Sequence, residues 1–193
     1  DVNRLQQVAR ILGRHGMGMV ASLVPGFRGS RELMTTPERV TKAIQELGPT
    51  FVKFGQILST RPDVVPQAYI ASLQSLQDDV QPLPFSKIEE SIKSELGPDW
   101  RSLFRSFDET PLASASIAQV HRAVSHDGRD VVLKIQRPGI ETTIKADLHI
   151  IQFLLSRALE EFPEIELFDP KGIFSEFRDS ILSELDFEQE KKN

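Results

Sequence analysis

The chain has 193 residues, of which 39% are hydrophobic and 26% are charged, a composition typical of globular proteins. Its net charge of −5 argues against a general nucleic-acid-binding protein, which would present a basic surface. The absence of cysteine excludes disulfide bonds and thiolate zinc sites, and no apolar run approaches the roughly 18 residues of a membrane-spanning helix.

The first hundred residues are predicted to form helices. The clearest helix starts with Thr36 as its cap and Pro37 at its first position, and it ends at Gly48 and Pro49. The segment 50–62 predicts a second helix, with Phe51, Phe54 and Leu58 on one side. The apolar stretch GMGMVASLVP (16–25) fits either a buried helix or a segment on a membrane surface.

A third helix is predicted to start at a capping box formed by Ser86 and Glu89 and to end at Gly97. After Trp100 the pattern changes to strands. Residues 117–124 alternate imperfectly, the pair Asp127-Gly128 predicts a hairpin turn, and VVLKIQ (131–136) has the composition of a strand.

Two helices are predicted after this sheet, each with one apolar row. The first carries Ile144, Leu148, Ile151, Leu155 and Leu159, and the second begins at Pro170 and carries Phe174, Phe177, Ile181 and Leu185. The predicted fold class is therefore α+β: a helical N-terminal region, a small antiparallel sheet of about three strands, and two further helices. The boundary between the two parts is placed near residue 105.

The stretch PLASASIAQVHRAV (111–124) has the spacing of a phosphate-binding loop, with alanine where glycine is usual. Ala113, Ala115, Ala118 and Val120 occupy the fixed positions of the protein-kinase pattern G-x-G-x-x-G-x-V, and Lys134 follows in VVLK. Such a loop brings backbone N–H groups close to phosphates, and the lysine then holds their charge. The alternative is an ordinary β-hairpin with a surface lysine.

Two other groups of residues are candidate site residues. Lys53 and Gln56 in KFGQ lie three apart on one helix face, with Gly55 between them. Glu184, Asp186 and Glu190 follow in the last predicted helix, where a kinase lysine would find a glutamate partner. The alternatives are a solvated lysine beside a packing glycine, and a solvated acidic helix face.

Four stretches, LGPTFVKFGQILSTRPDVVP, PLASASIAQVHRA, VVLKIQRPGI and ELDFEQEKKN, occur in the order found in the UbiB/AarF (ABC1-type) atypical kinases. The sequence resembles that family from about residue 40 onward. The resemblance implies that residues 1–104 form a helical N-terminal extension carrying the K-x-G-Q motif. It also implies that 105–193 form a kinase-like N-lobe with two helices inserted before helix C, and that the catalytic C-lobe lies outside these residues.

The resemblance also implies roles for individual residues. Lys134 matches the lysine for the α- and β-phosphates, and Glu190 matches the helix C glutamate. The nucleotide-binding set is Ala113, Ser114, Ala115, Ser116, Ala118, Val120, Lys134 and Glu190. The family-motif set is Lys53, Gly55, Gln56, Glu184 and Asp186. By this resemblance the K-x-G-Q residues lie in a helix that covers the nucleotide cleft. Glu184 and Asp186 form an E-x-D motif that faces this helix.

The function that the resemblance implies is an atypical kinase or ATPase that binds ATP or ADP with Mg²⁺ and supports ubiquinone or other isoprenoid-lipid biosynthesis. These residues contain no H-R-D-type base and no D-F-G metal ligand, so the chain alone is expected to be inactive. The expected location is peripheral, on the cytoplasmic side of a bacterial inner membrane or an organellar equivalent. The alternative is a non-enzymatic scaffold that binds a membrane lipid or a biosynthetic partner.

Two physical predictions accompany these roles. Alanine does not adopt the positive φ angles that glycine allows, so the loop is expected to be stiff, with weak protein phosphorylation and a slow, conditional ATPase activity. Lys53 is expected to form an ion pair with Glu184 or Asp186.

Overall fold

The computed structural model describes residues 2–28, 35–76 and 81–186. Within these ranges the chain forms eight α-helices and one three-stranded antiparallel sheet, which confirms the predicted α+β class. Two compact units divide the chain. A helical unit comprises residues 1–77 and 141–193, and a sheet unit comprises residues 78–140.

The helical unit contains seven helices among its described residues. They are α1 (Val2–Arg14), α2 (Gly18–Ala21), α3 (Pro37–Leu47), α4 (Pro49–Leu58), α5 (Gln67–Leu73), α7 (Ile140–Glu161) and α8 (Pro170–Leu185). A 3₁₀ turn at Pro163–Phe168 connects α7 to α8.

Local signals determine where α3 and α4 begin and end. The Thr36 hydroxyl accepts a hydrogen bond from the Arg39 N–H at 3.4 Å, and Pro37 occupies the first helical position. Gly48 lies between the two helices with a φ of 102°, a conformation that only glycine adopts without strain. These bounds confirm the predicted helix and its ends.

Aromatic and aliphatic side chains form the interior of the helical unit. Phe54 on α4 packs against Phe177 on α8, with ring centroids 5.0 Å apart. Val52, Leu73 and Leu76 form a second buried cluster beside them. In the stretch 16–25, Met17, Ala21 and Val24 are buried, so the structure favours the buried-helix alternative there.

The sheet unit combines one helix with three strands. Helix α6 spans Phe85–Leu96 and a 3₁₀ turn spans Trp100–Leu103. The strands are β1 (Ser106–Ser114), β2 (Ala118–Val124) and β3 (Asp130–Gln136), in the order β1-β2-β3. The predicted hairpin around Asp127-Gly128 is present, because the Ser125 N–H donates to the Arg129 carbonyl at 2.9 Å and joins β2 to β3.

One face of the sheet packs against α6. Ile88, Ile92, Trp100 and Ile135 are its buried centre. The predicted capping box is wrong: α6 begins at Phe85 with Pro84 in the cap position and no side-chain cap, so Ser86 already lies within the helix. Phe85 is held there because its ring packs against Trp100 and Phe107, at 6.2 Å and 5.6 Å between centroids.

The boundaries between the two compact units lie at residues 77/78 and 140/141, and neither is near residue 105. Helix α6 belongs to the sheet unit because its buried Ile88 and Ile92 pack with Ile135 of β3. Helix α8 belongs to the helical unit because Phe177 packs on Phe54. The assignment of 1–104 as extension and 105–193 as kinase-like lobe stays a prediction about the family's domains.

Candidate functional site

The exposed face of the sheet carries a row of three predicted site residues. Val120 on β2 pairs with Lys134 on β3 and with Ala113 on β1, so the three strands present these side chains to one face. Residues paired across an antiparallel sheet point to the same side. The Lys134 side chain is exposed and Val120 is half-buried beside it. The sheet therefore places a cation next to an aliphatic side chain, in the strands that follow the alanine turn.

The opposite face of the sheet carries buried polar residues that sequence reasoning missed. Gln119 and His121 are both fully buried. The Gln119 Oε1 accepts a hydrogen bond from the Leu83 N–H at 2.5 Å, and the His121 Nδ1 lies 3.0 Å from the Asp108 carbonyl oxygen. The available signal was alternation, because 119 and 121 have the parity of the core-facing positions of β2.

The turn between β1 and β2 consists of residues 115–117. The Ala115 N–H donates to the Ala118 carbonyl at 2.8 Å and closes the turn. Ala118 and Ser116 are buried, whereas Ala113 and Ala115 are exposed. Among the described residues, Asp169 is the only non-glycine residue with a positive φ, so the alanines turn the chain without the conformations that glycine would add.

Arg137 contacts this turn, and the sequence reasoning did not single it out. Its Nε donates to the Ala115 carbonyl at 3.1 Å, and its Nη2 donates to the Ser114 Oγ at 2.8 Å. The same Nη2 donates to the Gln81 carbonyl at 3.0 Å. The signal in the sequence was an arginine directly after the lysine strand.

In the helical unit, the Lys53 ammonium on α4 forms an ion pair with the Glu184 carboxylate on α8. The Lys53 side chain is 24% exposed and that of Glu184 is 33% exposed, so water screens the pair only in part. The predicted pairing of Lys53 with Glu184 is thus present. What the pair does in the protein stays a prediction.

Gly55 and Gln56 both contact the segment that follows α5. A Cβ on Gly55 would lie 2.6 Å from the Leu76 Cδ1 and 3.2 Å from the Ile44 Cδ1. The Gln56 Nε2 donates to the Leu76 carbonyl at 3.3 Å. The glycine is therefore explained by close packing, as the simpler alternative predicted, and the glutamine fixes the same segment.

The two remaining acidic candidates lie at and beyond the end of α8. The helix ends at Leu185, and Asp186 follows it with φ −90° and ψ 86°, so the expectation that this helix continues through Asp186 is wrong. Glu184 lies in the last turn of α8, beyond the last buried residue of its apolar row, Ile181. Glu190 lies outside the described residues, and its pairing with Lys134 stays a prediction.

The helical unit also contains a partly open apolar cavity of about 390 Å³. Its described lining is apolar, with Met17, Ile44, Phe54, Leu155 and Phe174 among its members. A cavity without polar partners does not hold ordered water, whereas it can accept an apolar ligand. No helix in the described ranges is long and apolar enough to cross a membrane.

The described residues offer no metal site. Within 2–28, 35–76 and 81–186, no three histidine, aspartate or glutamate side chains cluster so that they could hold a metal ion. Lys134 offers the positive charge that phosphates need, whereas the described residues offer Mg²⁺ no cluster of carboxylates.

The family model described as the ABC1 atypical kinase-like domain matches residues 75–193, which is more than half of the chain. The chain belongs to the ABC1 atypical kinase-like family. Among curated relatives, a probable protein kinase UbiB of Cellvibrio japonicus is 42% identical over 200 residues, covering 98% of this chain and 36% of that protein. An uncharacterized protein in the hydrogenase 1 5′ region of Clostridium pasteurianum is 44% identical over 193 residues, covering 100% of this chain and 35% of that protein.

A solved structure, the complex of Rv3197 with erythromycin from Mycobacterium tuberculosis, aligns with 76% of this chain and 37% of that chain. The sequence identity is 34% and the TM-score is 0.46. This ABC1-family chain spans about a third of the length of the curated relatives named above, which are 35% and 36% covered.

Proposed function

We propose that this chain provides the nucleotide-binding lobe of an atypical kinase or ATPase that binds ATP or ADP with Mg²⁺. The observation that carries the proposal is the row of Ala113, Val120 and Lys134 on the exposed face of the sheet. An aliphatic side chain beside a cation suits a nucleotide, because the base needs an apolar surface and the phosphates need positive charge.

The proposed nucleotide set is Ala113, Ser114, Ala115, Ser116, Ala118, Val120, Lys134 and Glu190. Lys134 binds the α- and β-phosphates, Val120 contacts the base, and the turn supplies backbone N–H groups. Ser114 contributes by its backbone, because its hydroxyl accepts a hydrogen bond from Arg137. Mg²⁺, when bound, neutralises phosphate charge, and its ligands are proposed to lie in the C-lobe rather than in these residues.

The proposed regulatory set is Lys53, Gly55, Gln56, Glu184 and Asp186. The Lys53–Glu184 ion pair joins α4 to α8 and holds the K-x-G-Q helix in one position, with Gly55 and Gln56 fixing its other side on Leu76. In this role the helix limits access of protein substrates, as the resemblance to the family implies. Weak protein phosphorylation and a slow, conditional ATPase activity are proposed to result from the stiff alanine turn.

The proposed biological role is support of ubiquinone or another isoprenoid-lipid biosynthesis, at the cytoplasmic side of a bacterial inner membrane or its organellar equivalent. The relatives named UbiB support this assignment at the level of the family. The partners proposed are the nucleotide, an isoprenoid lipid or quinone-biosynthesis proteins, and the membrane surface, with no nucleic acid.

The test is a titration of ATP with Mg²⁺ into the full-length protein that contains this chain, by calorimetry. Lys134→Ala is expected to weaken ATP binding at least tenfold, because each 1.4 kcal/mol of lost phosphate contact corresponds to a factor of ten. The matched control is Lys145→Ala, which removes an exposed lysine paired with Glu141 on α7. Equal affinity of wild type and Lys134→Ala would overturn the assignment.

The chain of 193 residues by itself is proposed to release no phosphate from ATP, because it contains neither an H-R-D-type base nor a D-F-G metal ligand. A malachite-green assay of this chain with ATP and Mg²⁺ is expected to stay at the level of the buffer. Phosphate release by this chain that disappears in its Lys134→Ala variant would contradict the requirement for a C-lobe.

A second candidate function, binding of a lipid chain by a non-enzymatic scaffold, is favoured by the apolar cavity. Farnesol and dodecanol are suitable probes of branched and linear chains. Replacing Ala158, which lines the cavity, by Phe is expected to abolish their binding by filling the space, whereas Leu167→Ala at an 87% exposed position leaves it unchanged. Lipid binding without any response to nucleotide favours the scaffold over the enzyme.

A further inference from the structure

Arg137 holds the alanine turn from the side of the sheet that faces away from Lys134. Arg137 follows β3 with the parity of Ile135, whose side chain is buried against α6. Ser114, which accepts from Arg137, pairs with the buried Gln119. Because side chains alternate along a strand, Lys134 points to the opposite face. The Arg137 guanidinium therefore approaches the turn from the face of the sheet opposite to Lys134.

Four hydrogen bonds join Arg137 to the chain around the turn. Its side chain donates to the Ala115 carbonyl, the Ser114 hydroxyl and the Gln81 carbonyl, at 3.1 Å, 2.8 Å and 3.0 Å. Its backbone N–H donates to the Ile117 carbonyl at 2.9 Å. The guanidinium is planar with donors in a fixed fork, so these acceptors determine its orientation and it determines theirs.

The bond to the Ala115 carbonyl fixes one peptide plane. The described residues contain no cis peptide bond, and in a planar trans peptide the C=O and the following N–H point in opposite directions. With the Ala115 carbonyl directed back at Arg137, the Ser116 N–H is directed away from Arg137. Since Arg137 has the parity of the α6-facing Ile135, the direction away from Arg137 leads toward the face of the sheet that carries Lys134.

The Ser116 N–H has no acceptor among the described residues. A buried or half-buried N–H without an acceptor costs free energy, which a ligand oxygen would recover. A phosphate held by Lys134 would bring such an oxygen to this side of the turn. Backbone N–H groups aimed at an anion are the recurring element of phosphate-binding loops.

We infer that Arg137 is a positioning residue: it orients the Ala115–Ser116 peptide so that the Ser116 N–H faces the phosphates of a nucleotide bound at Lys134. This inference rests on the proposed nucleotide-binding function. In a glycine loop the peptide can rotate between conformations with positive and negative φ angles. Alanine disfavours the conformations with positive φ. Arg137 then selects one orientation within what remains.

The charge of Arg137 is maintained at the turn. Desolvation on burial lowers the pKa of the Arg137 guanidinium, yet an arginine stays protonated throughout the range in which proteins fold. Arg137 is thus a permanent second cation behind the turn. It acts through the peptide, whereas Lys134 contacts the phosphate directly.

The inference is tested in the full-length protein with Arg137→Ala and Arg137→Lys. The matched control is Arg129→Ala, an arginine of the other hairpin of the same sheet that is 78% exposed and pairs with Asp127. Dissociation constants are measured for ATP with Mg²⁺ and for adenosine. Both Arg137 variants are expected to weaken ATP about tenfold and to leave adenosine within twofold, because only phosphates meet the Ser116 N–H.

A second measurement is independent of nucleotide binding. Hydrogen exchange of the peptide that contains residues 113–120 is expected to accelerate about tenfold in Arg137→Ala, because the Ala115 N–H loses protection when the turn rearranges. Arg129→Ala leaves that peptide unchanged. Arg137→Lys keeps the positive charge but lacks the planar, forked donors of the guanidinium. It is expected to retain the fold and is the variant to measure if Arg137→Ala does not express.

The outcomes separate this inference from the proposed function. If Lys134→Ala weakens ATP while both Arg137 variants bind ATP as wild type does, the positioning role is overturned and the nucleotide site stands. If ATP and adenosine weaken together, Arg137 serves only to hold the fold, and the inference is overturned. If wild type binds no nucleotide, the proposed function and the phosphate-facing role of Ser116 fail together.

Discussion

The Lys53 ammonium on α4 and the Glu184 carboxylate on α8 form an ion pair between residues that are 131 positions apart in the chain. The pair is accompanied by packing of Phe54 on Phe177, one residue along α4, at 5.0 Å. A polar and an apolar contact therefore join the same two helices. The position of the K-x-G-Q helix depends on both.

The Lys53–Glu184 pair is expected to stabilise the helical unit by a measurable coupling free energy. A double-mutant cycle with Lys53→Ala and Glu184→Ala, followed by urea unfolding, should give about 1 kcal/mol, since the pair is only partly screened by water. The control cycle is Glu141 with Lys145 on α7, where both side chains are about 60% exposed. A coupling no larger than that of the control would mean that the pair contributes nothing specific.

Gly55→Ala is expected to destabilise the chain by about 1 kcal/mol. Crowding of the buried Leu76 Cδ1, 2.6 Å from the added methyl group, costs about 1–3 kcal/mol, and the gain in helix propensity offsets about 1 kcal/mol. Urea unfolding measures the net effect. In a Leu76→Val background the same substitution should cost less, because the crowding atom is gone. An equal cost in both backgrounds would point to a cause other than Leu76.

Arg4→Ala is expected to lower the free energy of unfolding by about 3–5 kcal/mol. The Arg4 guanidinium donates to both oxygens of Asp147, at 2.7 Å and 3.0 Å, and Asp147 is fully buried, so its removal leaves an unpaired buried charge. Calorimetric or urea unfolding gives the value.

The control for Arg4→Ala is Arg14→Ala on the same helix. Arg14 pairs with Glu46 at the surface, with side chains 60% and 40% exposed, and its loss should cost below about 1 kcal/mol. The double variant Arg4→Ala with Asp147→Leu should regain most of the loss. A similar cost for both arginines would show that Asp147 is not the reason.

Glu46 is expected to make the stability of the chain sensitive to acid. A hydrogen bond from His15, with the charge of Arg14 nearby, holds the pKa of the Glu46 carboxyl below its ordinary value of 4.5. A lowered folded-state pKa means that the contribution to stability is present above pH 4.5 and is lost as the pH falls through the folded-state pKa. Glu46→Gln should therefore be less stable than wild type at pH 7, and the two should converge in more acidic solution. A stability gap that stays constant from pH 7 downward would exclude this linkage.

Ala115→Gly is expected to loosen the turn and to change the use of nucleotide in the full-length protein. Glycine gives access to positive φ angles, so hydrogen exchange in residues 113–120 should accelerate, and the preference between ATP and ADP and the extent of autophosphorylation should shift. Calorimetry and radiolabel transfer provide the readouts. Unchanged nucleotide preference and autophosphorylation would remove the reason given for alanine in this turn.

Local signals were sufficient for much of the fold. Thr36, Pro37 and Gly48 determine the ends of α3 through hydrogen bonds and φ angles within a few residues, and the Asp127-Gly128 turn is equally local. The start of α6 was predicted two residues too late, because the packing of Phe85 on Trp100 overrides the capping pattern at Ser86. The end of α8 was predicted too far along for a similar reason, since burial of its apolar row stops near Ile181.

The sequence by itself determined the α+β class, the strand that carries Lys134, and the resemblance that the family match confirms. These features depend on alternation, caps and motif spacing, which are properties of neighbouring residues. The resemblance implied that Lys53 pairs with Glu184 or Asp186, and the tertiary structure showed the pair with Glu184. Only the tertiary structure decided that Arg137 contacts carbonyls 22 and 56 positions away. Such contacts depend on how separate elements pack against each other, and no periodicity along the chain encodes which distant acceptor a side chain will reach.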